Sequence, residues 1–171
     1  MSHHSSITSK LCTIEDAINQ VEKWKKNGEK VVFTNGCFDI LHKGHVAYLA
    51  KAADLGTKLV VGINSDASVK SLGKGDDRPI NSQSDRQWVL AGLESINLIV
   101  VFNDSNPLTL IEKLSPSVLA KGADYDPLEN DPEHKKYIVG SSYVKALGGE
   151  VIAIELEEGY STTKIIQKLK P

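Results

Sequence analysis

Two histidines three residues apart, His42 and His45, stand on either side of Gly44 in the stretch Gly36-Cys37-Phe38-Asp39-Ile40-Leu41-His42-Lys43-Gly44-His45. Imidazole donates hydrogen bonds to phosphate oxygens and changes charge near neutral pH. The glycine between the pair leaves no side chain to block a close ligand. An apolar run, Val31-Val32-Phe33-Thr34, precedes the turn-forming pair Asn35-Gly36, and Val46, Leu49, Ala50 and Ala53 follow at helical spacing. Strand, polar turn and helix start together collect anions, because the first N–H groups of a helix have no partner within it. A His-x-x-His pair by itself also fits surface polarity or a partial metal site. Its place between a strand and a helix favours a phosphate site with two imidazole donors.

The elements that must hold this site alternate along the chain. Thr13-Ile14-Glu15-Asp16 resembles a capping box, and Ile14, Ala17, Ile18, Val21 and Trp24 then recur with a helical period until Asn27-Gly28. Apolar runs predict strands over 30–34, 58–64, 97–102, 117–121 and 150–155. Helices are predicted over 44–55, 67–72, from Asn81 or Ser82 through Leu93, over 107–114 and 141–147, and from Ser161 or Thr162 to 169. This alternation implies an α/β domain, doubly wound around a five-stranded parallel sheet. Polar groups gather where strands end: Thr34 to His45, Asn64 to Asp66, Lys121 to Tyr125 and Gly159 to Thr163. In a parallel sheet these ends share one edge, the edge where open α/β sheets bind ligands. The cap at Ser161 or Thr162 would add a second anion site with hydroxyl donors. The charged, Gly-rich Gly73–Pro79 reads as a solvated loop in isolation. Beside a phosphate site it is also a mobile basic cover for a triphosphate.

Composition narrows the function. At 171 residues, with 40% apolar and 25% charged residues, the chain fits one soluble domain over 11–171. Residues 1–10 have no period and read as a disordered tail or expression scar, so His3 and His4 receive no metal role. A net charge of −2 argues against a general nucleic-acid binder. No apolar run is long enough for a membrane span, and no signal-peptide pattern opens the chain. Two cysteines, Cys12 and Cys37, make no disulfide framework and point to a reducing, cytoplasmic setting; Cys37 reads as a small packed thiol. G-x-S-x-G, Walker A and a G-x-G-x-x-G after the first strand are all missing. What remains is direct in-line transfer, which needs positioning and charge neutralisation rather than a covalent intermediate.

The central stretch matches the GxFDxxHxGH signature of the cytidylyltransferase-like nucleotidyltransferases at Gly36, Phe38, Asp39, His42, Gly44 and His45. Nearly all of residues 30–169 resembles the adenylyltransferases of bacterial ADP-heptose synthesis, through Thr34–His42, Asn64–Val69, Arg78-Pro79, Arg86, Lys121–Tyr125 and Gly159–Thr163. The resemblance implies a Rossmann-like fold, ATP with Mg²⁺ and a sugar phosphate, D-glycero-β-D-manno-heptose 1-phosphate, as reactants, and pyrophosphate as product. It implies catalytic roles for His42, His45, Arg86 and Lys74. Nucleotide contacts would come from Thr34, Asn35, Gly36, Phe38, Asp39, Gly44, Lys121, Gly122, Asp124, Tyr160, Ser161, Thr162 and Thr163. Acceptor contacts would come from Asn64, Asp66, Arg78 and Tyr125, with no protein ligand to a metal. A homodimer is implied too, with the helix near Arg86 to Leu93 a candidate contact. Two departures stand out. No kinase domain accompanies this one, so only the nucleotidyl step is expected. The excursion Asp126–Ser142 is longer than the family leads one to expect, which bears on the dimer contact or the acceptor pocket. A cytidylyltransferase for glycerol 3-phosphate and a nucleotide-binding module without turnover remain alternatives, since backbone groups often select the base.

Overall fold

A computed structural model describes residues 2–73 and 77–169, the side chain of Leu169 apart. Lys74, expected in catalysis, lies outside the described residues, as does the middle of the charged loop around it. The sheet has six parallel strands: β1 (Leu11–Cys12), β2 (Val31–Gly36), β3 (Lys58–Asn64), β4 (Leu98–Phe102), β5 (Val118–Gly122) and β6 (Glu150–Ile154), in the order β1-β4-β3-β2-β5-β6. The sequence pattern predicts five strands. The additional one, β1, is two residues long, too short to display a period. It exists through its pairing of Leu11 with Ile99 and Cys12 with Val100 at the sheet edge.

Eight helices surround the described sheet: α1 (His3–Thr8), α2 (Ile14–Lys26), α3 (Lys43–Ala53), α4 (Asp66–Ser71), α5 (Gln83–Ala91), α6 (Leu108–Leu114), α7 (Ser141–Ala146) and α8 (Thr162–Leu169). Helix α1 corrects the expectation of a disordered tail. Ser2 caps it by accepting the Ser5 N–H at 3.1 Å, Ile7 packs on the core, and the His4 ring lies 5.5 Å from Trp88 of α5. One apolar residue shows no period in sequence, yet it suffices to dock a single turn and a half. Elsewhere the caps are local and legible. Thr13, Ser65 and Ser82 accept the N–H of Asp16, Ser68 and Asp85 at 3.1, 3.1 and 3.2 Å.

Successive strand residues enter opposite cores, as the two-residue side-chain period requires. Val32, Leu59, Val61, Ile63 and Ile99 meet Leu49 and Ala52 of α3 and Leu90 of α5. Val31, Phe33, Val60 and Val100 meet Ala17 and Val21 of α2, Ile111 of α6 and Val144 of α7. Ile138, from the excursion, is fully buried in this second core. The β2–β3 register runs from Val31 opposite Lys58 to Gly36 opposite Ile63. The strand exits at residues 36, 64, 102, 122 and 154 therefore face one way, and the cleft forms there.

Ile138→Ala should cost about 2–5 kcal/mol, the usual range for emptying a buried aliphatic site. Urea unfolding measures it; an unchanged midpoint would mean that the excursion is not tied to the core.

Candidate active site

His42 is the N-cap of α3. Its Nδ1 accepts the His45 backbone N–H at 3.3 Å. An accepting Nδ1 places the proton of the neutral ring on Nε2. That Nε2 is buried and has no partner among the described residues, and neither has His45 Nδ1. The two rings stack 3.8 Å apart at 14°. Gly44 is required between them, since a Cβ there would lie 2.9 Å from Cβ of Tyr160 and 3.1 Å from His42 Nδ1. Phe38 adopts a left-handed φ of 49° and sets its ring edge-on to His45 at 5.2 Å. Burial, then the neighbouring His42, lowers the His45 pKa to about 4, partly offset by the Ile40 carbonyl. Burial also lowers His42. Both rings thus favour the neutral form more than a free imidazole does, and an arriving phosphate would have to raise their pKa values for them to charge near neutrality.

Four charged residues expected to touch ligands, Asp39, Asp66, Arg78 and Arg86, build the frame of the site, and Asp39 and Arg78 also line a smaller cavity beside it. Asp39 has no exposed side-chain surface. Its carboxylate pairs with Arg78 Nε and accepts the backbone N–H groups of Ile80 and Asn81 at 3.0 and 2.9 Å. Those three bonds commit the carboxylate to holding the 78–81 segment against the motif. Arg86, also fully buried, donates to the carbonyls of Cys37 (2.7 Å), Asn64 (2.8 Å) and Asn81 (3.2 Å) and to Asp66 Oδ1 (2.8 Å). It is a strut across the exits of β2 and β3 and lies outside the lining of the cleft. Asp66, as its ion-pair partner, lies outside the lining of the cleft. Thr34 is likewise buried, bonded through Oγ1 to the Tyr48 hydroxyl at 2.7 Å.

The cleft itself has a volume of about 760 Å³. It brings together Asn35, Gly36, Phe38, His42, Gly44, His45, Asn64, Lys121, Gly122, Asp124, Tyr125, Tyr160, Ser161, Thr162 and Thr163, as the sequence suggested. Ser161 begins α8 by accepting the Lys164 N–H at 3.1 Å. Arg78, expected on the acceptor side, lines a smaller adjoining cavity with His45, Thr162 and Thr163. Lys121 lies over the Tyr125 ring at 5.3 Å and donates to the Asn35 carbonyl at 3.4 Å. Glu157 bridges Lys43 and Lys51 at 3.3 and 3.2 Å, tying the exit of β6 to α3.

Sequence reasoning missed Tyr48, Ser105–Pro107, Tyr137, Val139, Leu156 and Glu157, all on the cleft wall. Tyr48 lies one helical turn beyond His45, a spacing that could have found it. Its hydroxyl is held protonated, burial pushing it up to about 12. Ser105–Pro107 follow the exit of β4, so the strand-end rule covers them too. Nothing in sequence marks Tyr137 and Val139.

A family model described as cytidylyltransferase-like matches residues 33–168. The bifunctional protein HldE of Campylobacter concisus is 56% identical over 146 residues, which is 85% of this chain and 28% of that protein. The protein of the same name from Wolinella succinogenes is 47% identical over 170 residues, 99% of this chain and 33% of its own length. The chain thus spans about a third of the curated relatives it matches. Among solved structures, a lipopolysaccharide core biosynthesis protein from Thermoplasma volcanium superposes with a TM-score of 0.58 at 25% identity, covering 78% of this chain and 100% of that one.

Two tests follow from the frame and the rings. Arg86→Ala would leave three carbonyls and a carboxylate unpaired and should cost about 3–5 kcal/mol in chemical unfolding; a loss under 1 kcal/mol would remove Arg86 from its framing role. Because the folded-state pKa of His45 lies below its ordinary 6.5, the unfolded chain takes up the proton first. Stability should be complete above about pH 6.5 and fall as the pH drops through 4. Unfolding midpoints across that window should flatten in His45→Asn, and an equal slope in both proteins would contradict the assignment.

Proposed function

The chain belongs to the cytidylyltransferase-like family, and we propose that it transfers AMP from ATP to D-glycero-β-D-manno-heptose 1-phosphate, giving ADP-heptose and pyrophosphate. The observation that carries the transfer chemistry is the pair of unpartnered buried nitrogens, His42 Nε2 and His45 Nδ1, in a cleft shared with the start of α8. A buried donor without an acceptor costs stability, so it is retained where a ligand completes it. An acceptor phosphate oxygen would attack the α-phosphorus while the bond to the pyrophosphate bridging oxygen breaks. A phosphate is already a nucleophile at neutral pH, so no general base is needed. The rings would supply hydrogen bonds, and charge as the phosphates raise their pKa values, to the crowded transition state. Asn35, Lys121, Tyr160, Ser161, Thr162 and Thr163 would hold the nucleotide, and Asn64 and Tyr125 the acceptor.

Two findings support the choice of adenylyl group and heptose. The segments shared with ADP-heptose adenylyltransferases extend well beyond HxGH, and the relatives called bifunctional protein HldE align over 85–99% of this chain. The divalent ion of this reading, Mg²⁺, would enter on the triphosphate, since no group of three His, Cys, Asp or Glu side chains is placed to hold one among the described residues. No helix among them is long and apolar enough to cross a membrane. Homodimer contact through α5 belongs to the same proposal. Leu90 is taken by the core, which leaves Trp88 and Val89 as the outward face. A cytidylyltransferase for an alcohol phosphate shares the same phosphate machinery and is the second reading.

Pyrophosphate release with ATP or CTP, against heptose 1-phosphate or glycerol 3-phosphate, separates the two. ATP with heptose 1-phosphate should have the highest kcat/KM; a preference for CTP with glycerol 3-phosphate would overturn the assignment. In the preferred pairing His45→Ala should lower kcat by about 10²–10³ while nucleotide affinity changes less. Turnover like wild type would remove His45 from the mechanism.

A further inference from the structure

The cleft has two walls that come from opposite layers of the sheet. One is built on α3 and the approach to α8: His42, His45, Tyr160 and Thr162. This is the wall with the unpartnered imidazole nitrogens, where the function proposed above puts the triphosphate. The other is built from Ser105–Pro107, at the exit of β4, and from Tyr137 and Val139, at the end of the excursion. Its foundation is the second core. Ile138 lies between Tyr137 and Val139 and is fully buried in that core with Ile111. Gly140 follows with φ of 86°, and a Cβ there would lie 2.8 Å from Ile111 Cδ1. The excursion is closed on itself, with Asp126 N–H donating to the Lys136 carbonyl at 2.9 Å and Lys145 Nζ donating to the Pro127 carbonyl. Residues 137–139 therefore form a fixed wall.

In-line displacement sets the attacking oxygen opposite the leaving pyrophosphate. With the triphosphate on the α3–α8 wall, the acceptor must approach from the opposite side. Resting on the reading above, we infer that the excursion is the acceptor-specificity element: Tyr137 reads a hydroxyl of the sugar phosphate, and Val139 sets the room available to it. The only partner of the Tyr137 hydroxyl described here is Ser142 Oγ, at a long 3.4 Å, so exchange for a sugar hydroxyl loses little. The ring is half-buried, which places an amphipathic surface against a hydroxylated ligand.

Steady-state kinetics of Tyr137→Phe and Val139→Trp, each with two acceptors, test this. In Tyr137→Phe, kcat/KM for the sugar phosphate should fall about tenfold, as loss of one hydrogen bond to a substrate hydroxyl implies. KM for the nucleotide should stay within about twofold, and so should kcat/KM for glycerol 3-phosphate, which presents fewer hydroxyls. A merely structural role would shift both substrates together. Val139→Trp should raise KM for every acceptor without raising that for the nucleotide. If wild type prefers glycerol 3-phosphate, the heptose assignment fails, and Val139→Trp still tests the wall with that acceptor. Unchanged acceptor KM in Val139→Trp, or nucleotide KM rising in step with it, overturns the inference.

Discussion

Everything at the cleft depends on one buried cation. Arg86 sits in α5, outside the lining of the cleft, and binds the carbonyls of Cys37 and Asn64 just where β2 and β3 end. Parallel strands stop donating and accepting at their exits, so these carbonyls need partners. A guanidinium can serve several at once in a planar fork, which a lysine cannot. Its fourth acceptor, Asp66, supplies the countercharge and begins α4. Asp39 does the same work in reverse, one carboxylate gathering Arg78 and two backbone N–H groups. The two networks meet at Asn81, whose carbonyl accepts from Arg86 and whose side chain donates to the Asp39 carbonyl. The turn that carries the histidines is therefore held from both sides.

With the frame satisfied internally, three of the buried side-chain atoms left without a partner among the described residues, on Asn35, His42 and His45, belong to residues of the cleft. His42 uses Nδ1 to cap α3 and keeps Nε2 for something else. Burial makes charging either ring costly, and the stacked His42 adds to the cost at His45. An anion hydrogen-bonded at the free edges of the two rings would offset that cost. Lys121 lines the same cleft, and Arg78, paired with Asp39, lines the smaller cavity beside it.

The reading of the chain as strand, polar turn and helix was recoverable because each signal is local. The β-branched run Val31–Val32, the caps at Thr13 and Ser82, and the Ser-Thr-Thr segment at the last helix act within a few residues. The same locality explains the errors. Arg86 and Asp39 carry charges that, in sequence, look available to phosphate. Only the fold shows that each is already bonded, largely to groups from 20 to 49 residues away. Helix α1 and strand β1 are too short to carry a period and are ordered by α5 and β4.

By itself, then, the sequence determined the parallel α/β alternation, the edge on which polar residues collect, and the residues of the HxGH turn. Periodicity, capping and turn chemistry depend on near neighbours, so one dimension contains them. Tertiary structure decided which charges face the ligand and which are consumed as struts, that Thr34 is buried behind Tyr48, and that Tyr137 and Val139 reach the cleft. Those outcomes depend on where Ile138 anchors and on which carbonyls fall beside Arg86. Both are distances between segments far apart in the chain, set only when the two cores close on the sheet.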